Sequence, residues 1–471
     1  MMNNIISIAG SSGVGKTTIA KLLHIALPSN ETVIISGDDL HKWERGDPNW
    51  ANFTHLNPEA NNLAKGYEDL QNLKRGEEIQ RDLYNHDTGK FIKNQTIEPK
   101  QNIIYEGLHA LHSAEVCNIA DLKIFVDTDE ELKIAWKIHR DTKKRGYTRK
   151  QAIAAIESRR EDERKYINPQ KAAADIVLRF RKQNAKINLE YDSITGRGLD
   201  LLKQLSEIYQ KQSEFLFVCQ SVAEDEDLVQ NKGGNISYKA GDKMVITSSG
   251  TSLESVNMFS GYCVCETEQL KGTYIDEESY AASVAESKIF KTDERPSMEA
   301  GLHAAAGEHV LHTHPLYLNM ILCSMQAGMI IAKLFSDLEH QFVPYITPGA
   351  PLSNFVQNDA KNVSVLFLQN HGLVVRSDSL KKCLALTKYI NEASRIFIAS
   401  RQPWPEQASP LVCAPNQHLF PDSVALQGES NIVNAYIFDS IIQAGLKPKL
   451  LTTQEIQVIL SLEAEKYRRK L

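Results

Sequence analysis

The sequence predicts an α/β protein built from two domains in tandem. Three observations carry that expectation. The chain has 471 residues, more than the roughly 250–300 at which a single hydrophobic core stops growing. Near its start an apolar run, a glycine-rich loop and a helical pattern follow one another in IISIAGSSGVGKTTIAKLL. Far downstream, HVLHTHPLY places His312 and His314 one residue apart on a second apolar run. One site could use both features, or two could be joined end to end, and the length favours two.

Composition is that of an ordinary globular protein, with 42% hydrophobic and 24% charged residues. Lys and Arg number 53 against 59 Asp and Glu, which gives no bulk attraction to nucleic acid. The seven cysteines are odd in number and form no disulfide-like framework. Cys263 and Cys265 make a lone C-x-C that reads as two strand residues rather than a metal site. No stretch approaches the ~20 apolar residues of a membrane span, and the N-terminus does not read as a signal peptide. A cytoplasmic protein acting on a small molecule, with no membrane or nucleic-acid partner, is expected.

The first element fits G-x-x-x-x-G-K-[ST], with Gly10, Gly15, Lys16 and Thr17 in the fixed positions. Strand, loop and helix in that order aim backbone N–H groups and a helix N-terminus at phosphate oxygens. Gly10, Ser11, Gly13, Gly15, Lys16, Thr17 and Thr18 are therefore the expected ATP contacts. Lys16 would reach the β/γ-phosphates, and Thr17 would offer its hydroxyl to Mg²⁺. The next strand, TVIISGDDLHKWER, ends in Asp38 and Asp39. One of them could take the proton of an attacking hydroxyl, or serve as an N-cap of the following turn. QNIIYEGLHAL places Glu106 at a strand end, where a Mg²⁺-associated carboxylate is needed. In EELKIAWKIHRDTKKRGYT, Lys137, Asp141 and Arg145 recur every four residues beside Arg140. That makes one charged helix face, which periodicity alone also allows to be plain solvated surface.

SGDDLHKWERGD, HLNPEANNL, DLYNHDTGKF, YEGLHAL and KIHRDTKKRGYT, in this order over residues 3–180, resemble the phosphoribulokinase/uridine kinase family. Several of these segments are similar to its sugar-phosphate branch, which disfavours a nucleoside kinase. The resemblance implies that Asp38 is the general base and that His41 and Arg45 hold the sugar. It also implies that Lys137, Arg140 and Arg145 bind phosphate or transferring charge, with Asp141 supporting them and Glu106 on the metal. His86 is a weaker candidate, on a lid over the substrate.

The kinase-like pattern stops near residue 210, between ITGRGLDLLKQLSEIYQKQ and SEFLFVCQSVAEDEDLVQ, with no Gly/Ser-rich linker. Domains of residues 1–210 and 211–471 are expected. In an extended strand His312 and His314 point to one side. His371, in LFLQNHGLVV, could supply a third ligand, and three histidines with open positions suit catalytic Zn²⁺. Spacing leaves open the alternative of unrelated buried histidines.

NKGGNISYKAGDKMVITSSGTSLESV, RPSMEAGLHAAAGEHVLHTHP and FLQNHGLVV, in this order, resemble the class II aldolase/adducin family over about residues 213–430. LFPDSVALQG is similar to the extended tail of one aldolase branch. The resemblance implies an α/β/α fold with a central antiparallel sheet and a homo-oligomer, expected as a tetramer. It makes His312, His314 and His371 the zinc ligands and Glu299 the catalytic acid–base, with His303 as support or packing. Asn235, Ser249, Gly250 and Ser297 fall on the positions that hold the substrate's phosphate, while Met298 departs from the serine many members carry. Together the two resemblances imply a bifunctional enzyme that phosphorylates a ketose, or a ketose phosphate as Arg45 and Arg145 suggest, at C1 and cleaves the product to dihydroxyacetone phosphate and an aldehyde. The alternatives are a kinase fused to a pentulose-phosphate epimerase, and an adducin-like second half that only scaffolds.

Overall fold

The computed structural model describes residues 3–462 and 465, apart from 86–87, 145, 184–185, 195–197, 231–232, 291, 293, 361–362, 402–416 and 427–428. Two of the expected site residues, His86 and Arg145, lie outside the described residues. The chain divides into two compact units, Met1–Tyr209 and Gln210–Leu471. What the sequence presents as two successive helical patterns around that division is one helix, Leu199–Ala223. Among the described residues no helix is long and apolar enough to cross a membrane.

The first unit contains strands β1 (Asn4–Gly10), β2 (Thr32–Ser36), β3 (Ile79–Asn85), β4 (Lys90–Ile97), β5 (Asn102–Gly107), β6 (Leu122–Thr128), β7 (Ile176–Gln183) and β8 (Lys186–Ile194). Six form one sheet in the order β2-β5-β1-β6-β7-β8, and β3 and β4 form a separate hairpin. All neighbours in the six-stranded sheet run parallel except β8, which pairs antiparallel with β7. β1 is buried from its second residue onward because covered parallel strands present both faces to core, which is why it reads as an unbroken apolar run. Order reverses at β1, between β5 and β6, which is where doubly wound sheets open a crevice for ligand.

The second unit contains β9 (Asn235–Ala240), β10 (Lys243–Thr247), β11 (Tyr262–Glu266), β12 (His309–Thr313), β13 (His340–Val343), β14 (Val365–Leu368) and β15 (Gly372–Ser377). They form one sheet in the order β11-β10-β9-β12-β15-β14-β13. It is antiparallel as expected, with one exception: the edge strand β13 runs parallel to β14. The helix Leu380–Ala399 packs along β12 and β15. The helices Ala300–Ala306 and Ala350–Phe355 share a core with Val310, Leu366 and Val374. Cys263 and Cys265 are buried in β11, as strand residues should be.

Candidate active sites

In the first unit the loop between β1 and the helix Lys16–Ala26 turns on glycines at left-handed φ. Gly15, at φ +96°, caps the helix, and a Cβ there would stand 2.7 Å from the Phe180 ring. Lys16 is buried and donates its Nζ to the Ser11 carbonyl at 2.9 Å, so it curls over the loop it serves. Burial lowers its pKa, while Glu106 and Asp38 pull the other way. Thr17 donates its hydroxyl to Glu106 Oε1 at 3.2 Å, which brings together the two groups expected at Mg²⁺. Ser11 and Thr18 are buried in the same segment.

Asp38 and Asp39 open the turn Gly37–Leu40 that follows β2, and the structure separates their roles. Asp39 accepts the Tyr84 N–H at 2.8 Å and lies 3.9 Å from the buried Arg81, so it ties the β3–β4 hairpin to the turn. Asp38 instead bears electrostatically on Lys16 of the phosphate loop and on His55 and His109. The His41 ring meets Tyr84, Trp50 and His55 edge-on at 5.2, 5.7 and 6.1 Å between centroids, forming an aromatic wall. Arg45 is exposed, and its backbone N–H donates to Gly89 in the hairpin turn at 2.8 Å.

The helix Glu130–Lys144 does not present a solvated charged face. Lys137 is 6% exposed and Asp141 is fully buried. Gly13 makes room for this: a Cβ there would stand 3.2 Å from Lys137 Cβ. Arg140 reaches Ser12 Oγ at 3.4 Å and Asp141 Oδ1 at 3.0 Å, so the helix sets two cations against the phosphate loop. Burial, with Arg159 and Arg140 close by, pulls Lys137 down to about 7. His55 and Arg159 belong to this cluster and were not singled out from the sequence; burial and Arg159 hold the His55 ring well below its ordinary value.

In the second unit, His312 comes from β12, His314 from the residue pair after it, and His371 from the three-residue turn between β14 and β15. Their ligand atoms lie within 4.8 Å of one another. Gly372 must be glycine here, since a Cβ would run into the Thr313 backbone carbonyl and stand 2.9 Å from His314 Cδ2 and 3.3 Å from His312 Cε1. Asn370, at φ +55°, shapes the turn and donates to the Leu419 and Lys449 carbonyls at 2.7 Å. That tie brings in the short helix Pro421–Ala425, whose Asp422 Oδ2 lies 3.2 Å from His314 Nδ1.

The hydrogen bonds fix how these rings face the pocket. His312 Nδ1 lies 3.0 Å from the Leu373 carbonyl and donates to it, while His314 Nδ1 donates to Asp422. Both Nε2 atoms are then lone-pair donors, and they stand 3.0 Å apart. Glu299 adds its carboxylate at 3.4 Å from His312 Nε2 and 3.3 Å from His371 Nε2. Lone pairs and an anionic oxygen converging in this way fit a cation, and imidazole nitrogens with a carboxylate suit a divalent transition metal. Burial pushes His312 down and His371 to about 3, which leaves both rings neutral. Burial works against the Glu299 carboxylate, while the Asn235 amide N–H that it accepts favours its ionised form.

Glu299 stands at the start of the helix Ala300–Ala306. Tyr280 brackets it, donating to the Met298 carbonyl at 2.7 Å and accepting the Gly301 N–H at 3.0 Å. The pocket around it is lined by Ser249, Gly250 and Ser297, as expected, and also by Thr251. Asn235 lines the pocket too, but its side chain differs from the expectation of a simple phosphate contact. It is engaged by Glu299 at 2.6 Å on one end and by His303 on the other.

A phosphate-loop α/β unit and a three-histidine cluster able to hold a metal ion, on a largely antiparallel sheet, therefore share one chain. Residues 5–186 match the phosphoribulokinase / uridine kinase family, and residues 213–398 match the class II aldolase and adducin N-terminal domain. The chain is 38% identical over 174 residues to phosphoribulokinase of Synechocystis sp., covering 37% of this chain and 52% of that protein. It is 33% identical over 211 residues to uridine kinase of Borrelia garinii subsp. bavariensis, covering 43% of this chain and 100% of that protein. It spans about half the length of the phosphoribulokinases it matches. Among solved structures it is similar to the N-terminal class II aldolase domain of a conserved protein from Thermoplasma acidophilum, with 24% identity and a TM-score of 0.36, covering 40% of this chain and 92% of that one. The chain belongs to the phosphoribulokinase/uridine kinase family through its first unit and carries a class II aldolase/adducin domain in its second.

Proposed function

We propose that the chain is a bifunctional sugar kinase and metal-dependent aldolase acting on consecutive steps. The observation that carries this reading is the convergence of Glu299, His312, His314 and His371 on one pocket in a chain whose other unit is a kinase. The first unit would transfer the ATP γ-phosphoryl to the C1 hydroxyl of a ketose. Asp38 accepts the hydroxyl proton, Lys16, Lys137 and Arg140 hold phosphate oxygens, and Thr17 and Glu106 hold Mg²⁺. The second unit would cleave the resulting ketose 1-phosphate to dihydroxyacetone phosphate and an aldehyde. His312, His314 and His371 would hold Zn²⁺, which supplies Lewis-acid polarisation of the substrate's carbonyl. Glu299 moves the proton at the carbon whose bond breaks. The Ser249–Gly250 turn, with Gly250 at φ +73°, and Ser297 receive the single phosphate with hydroxyls and backbone N–H groups.

The pocket lining supports a monophosphate: none of its described residues is Lys or Arg, whereas Glu299 and Asp422 are acidic. Among the described residues of the lining, a second phosphate on the sugar would find no Lys or Arg to meet it. The kinase would accordingly take an unphosphorylated ketose, in the cytoplasm, with the aldolase unit assembling as a homotetramer. Incubating the full chain with ATP, Mg²⁺, Zn²⁺ and a panel of ketoses, then assaying dihydroxyacetone phosphate, tests the reading. Sugar phosphorylation without any carbon–carbon cleavage would refute the second half of it.

A further inference from the structure

Glu299 is held from behind by a hydrogen-bonded chain that uses every polar atom of two buried side chains. Ser237 and Asn235 alternate on β9 and so share one face of the strand. His303 lies four residues after Glu299, on the same side of the helix Ala300–Ala306. Ser237 Oγ stands 2.7 Å from His303 Nδ1, His303 Nε2 meets Asn235 Oδ1, and Asn235 Nδ2 donates to Glu299 Oε2 at 2.6 Å. Ser237 and His303 are fully buried, and Asn235 and Glu299 are 8% and 5% exposed.

The protons in this chain follow from the last acceptor. An ionised carboxylate only accepts, so the Asn235 amide must turn its Nδ2 towards Glu299. Its Oδ1 then faces His303 and requires a proton on Nε2. His303 Nδ1 is left as a lone pair, which the Ser237 hydroxyl fills. The ring is neutral in this arrangement, and burial holds its pKa at about 3. Glu299 Oε2 is thereby committed to the amide. Oε1 has no hydrogen-bond partner among the described residues and lies 3.3 Å from His371 Nε2.

We propose that His303 is a positioning residue that, through Asn235, fixes which oxygen of Glu299 faces the substrate, leaving Oε1 as the one that carries the proton. The helix that bears His303 is itself pinned, since Lys239 donates to the Ala304 carbonyl and Arg376 to the Ala306 carbonyl at its C-terminal end. Without the imidazole the amide is free to flip and set its carbonyl against the carboxylate, which releases Oε2 and loosens Glu299. The inference rests on the aldolase reading of this pocket.

The test compares His303→Leu, which fills the space but offers no hydrogen bond, with His303→Gln, which keeps one donor and one acceptor. Full-length protein is loaded with zinc, and zinc content, cleavage kinetics and sugar phosphorylation are measured on each. His303→Leu should keep its zinc, its phosphorylation rate and its KM for cleavage, yet lose roughly 10–100-fold in kcat; His303→Gln should recover most of that loss. A His303→Leu enzyme with undiminished kcat, or a zinc-replete His303→Gln enzyme no better than it, would overturn the proposal. If His303→Leu does not fold, Ser237→Ala should still lower kcat at constant zinc, and an unchanged kcat there counts against the relay. A wild-type protein that cleaves nothing would instead sink the aldolase reading. In that case ¹⁵N-histidine labelling tests the relay alone: the signals that His303→Gln removes should report a protonated Nε2 and a bare Nδ1, and the opposite tautomer refutes it.

Discussion

Removing the Asp422 carboxylate should loosen the metal while leaving the rest of the chain intact. The other two rings offer no comparable handle. His312 is oriented by the Leu373 carbonyl, which no substitution deletes, and His371 Nδ1 has no hydrogen-bond partner among the described residues. His314 alone leans on a side chain, with Asp422 Oδ2 3.2 Å from its Nδ1 and the two side chains 10% and 12% exposed. Losing such a partner typically costs 10–100-fold in metal affinity, or about 1.4–2.7 kcal/mol. Asp422→Ala should fall in that range, because it removes both the acceptor and the charge that raises the basicity of Nε2. Asp422→Asn keeps an oxygen acceptor and should sit near the weak end. Zinc competition against a chromophoric chelator measures both, and the phosphorylation rate of the same samples reports whether the chain is folded. Wild-type zinc affinity in Asp422→Ala would show that the carboxylate does not orient His314.

Asp38→Asn should lower phosphoryl transfer by roughly 10²–10⁴-fold with ATP affinity nearly intact, whereas Asp39→Asn should chiefly raise the KM for sugar, because Asp39 holds the hairpin; equal loss of kcat in both would refute that division. Lys137, pulled down to about 7 by burial and the neighbouring Arg159 and Arg140, gives the pH dependence its sign. Above that value, and up to the ordinary lysine range, the unfolded chain holds a proton that the folded one has shed, so nucleotide-free stability rises with pH through this window. Nucleotide phosphate should restore the charge, so ATP binding at mildly alkaline pH should take up a proton, seen as a buffer-dependent binding enthalpy that Lys137→Met abolishes. Gly372→Ala should cost the protein its zinc, measured by elemental analysis, since the new methyl would run into the Thr313 carbonyl and crowd the His314 and His312 rings. Chelation should abolish carbon–carbon cleavage, and zinc should restore it, with the phosphorylation rate measured in excess Mg²⁺ unaffected throughout.

What could be read from the sequence is what the sequence holds close together. The phosphate loop is contiguous, so its strand, glycines, Lys16 and Thr17 carry their own context, and Glu106 is legible because it ends a strand. His312 and His314 are legible from the two-residue period of a strand, and His371 from standing beside a glycine at the end of one. The charged helix Glu130–Lys144 misleads for an instructive reason. A four-residue period says which side chains share a face, but not whether that face meets water; here Lys137 and Asp141 are buried, and the missing side chain of Gly13 leaves room for Lys137.

The relations that orient the ligands were not legible at all, because they join residues that only folding brings together. Asp422 reaches His314 because Asn370, beside His371, ties the histidine turn to Leu419. His303 sits visibly one helical turn from Glu299, which suggests support, yet what it supports runs through Asn235 on a strand that precedes both. Asn235 was legible as polar and glycine-flanked, and so as a candidate phosphate contact; its commitment to a carboxylate and an imidazole depends on β9 pairing with β12, which sets it across from His312. The sequence marks the groups that touch a metal or a phosphate because chemistry restricts their type. It does not mark the groups that aim them, because a serine, an asparagine or an aspartate at those places looks like any other polar residue until the sheet is assembled.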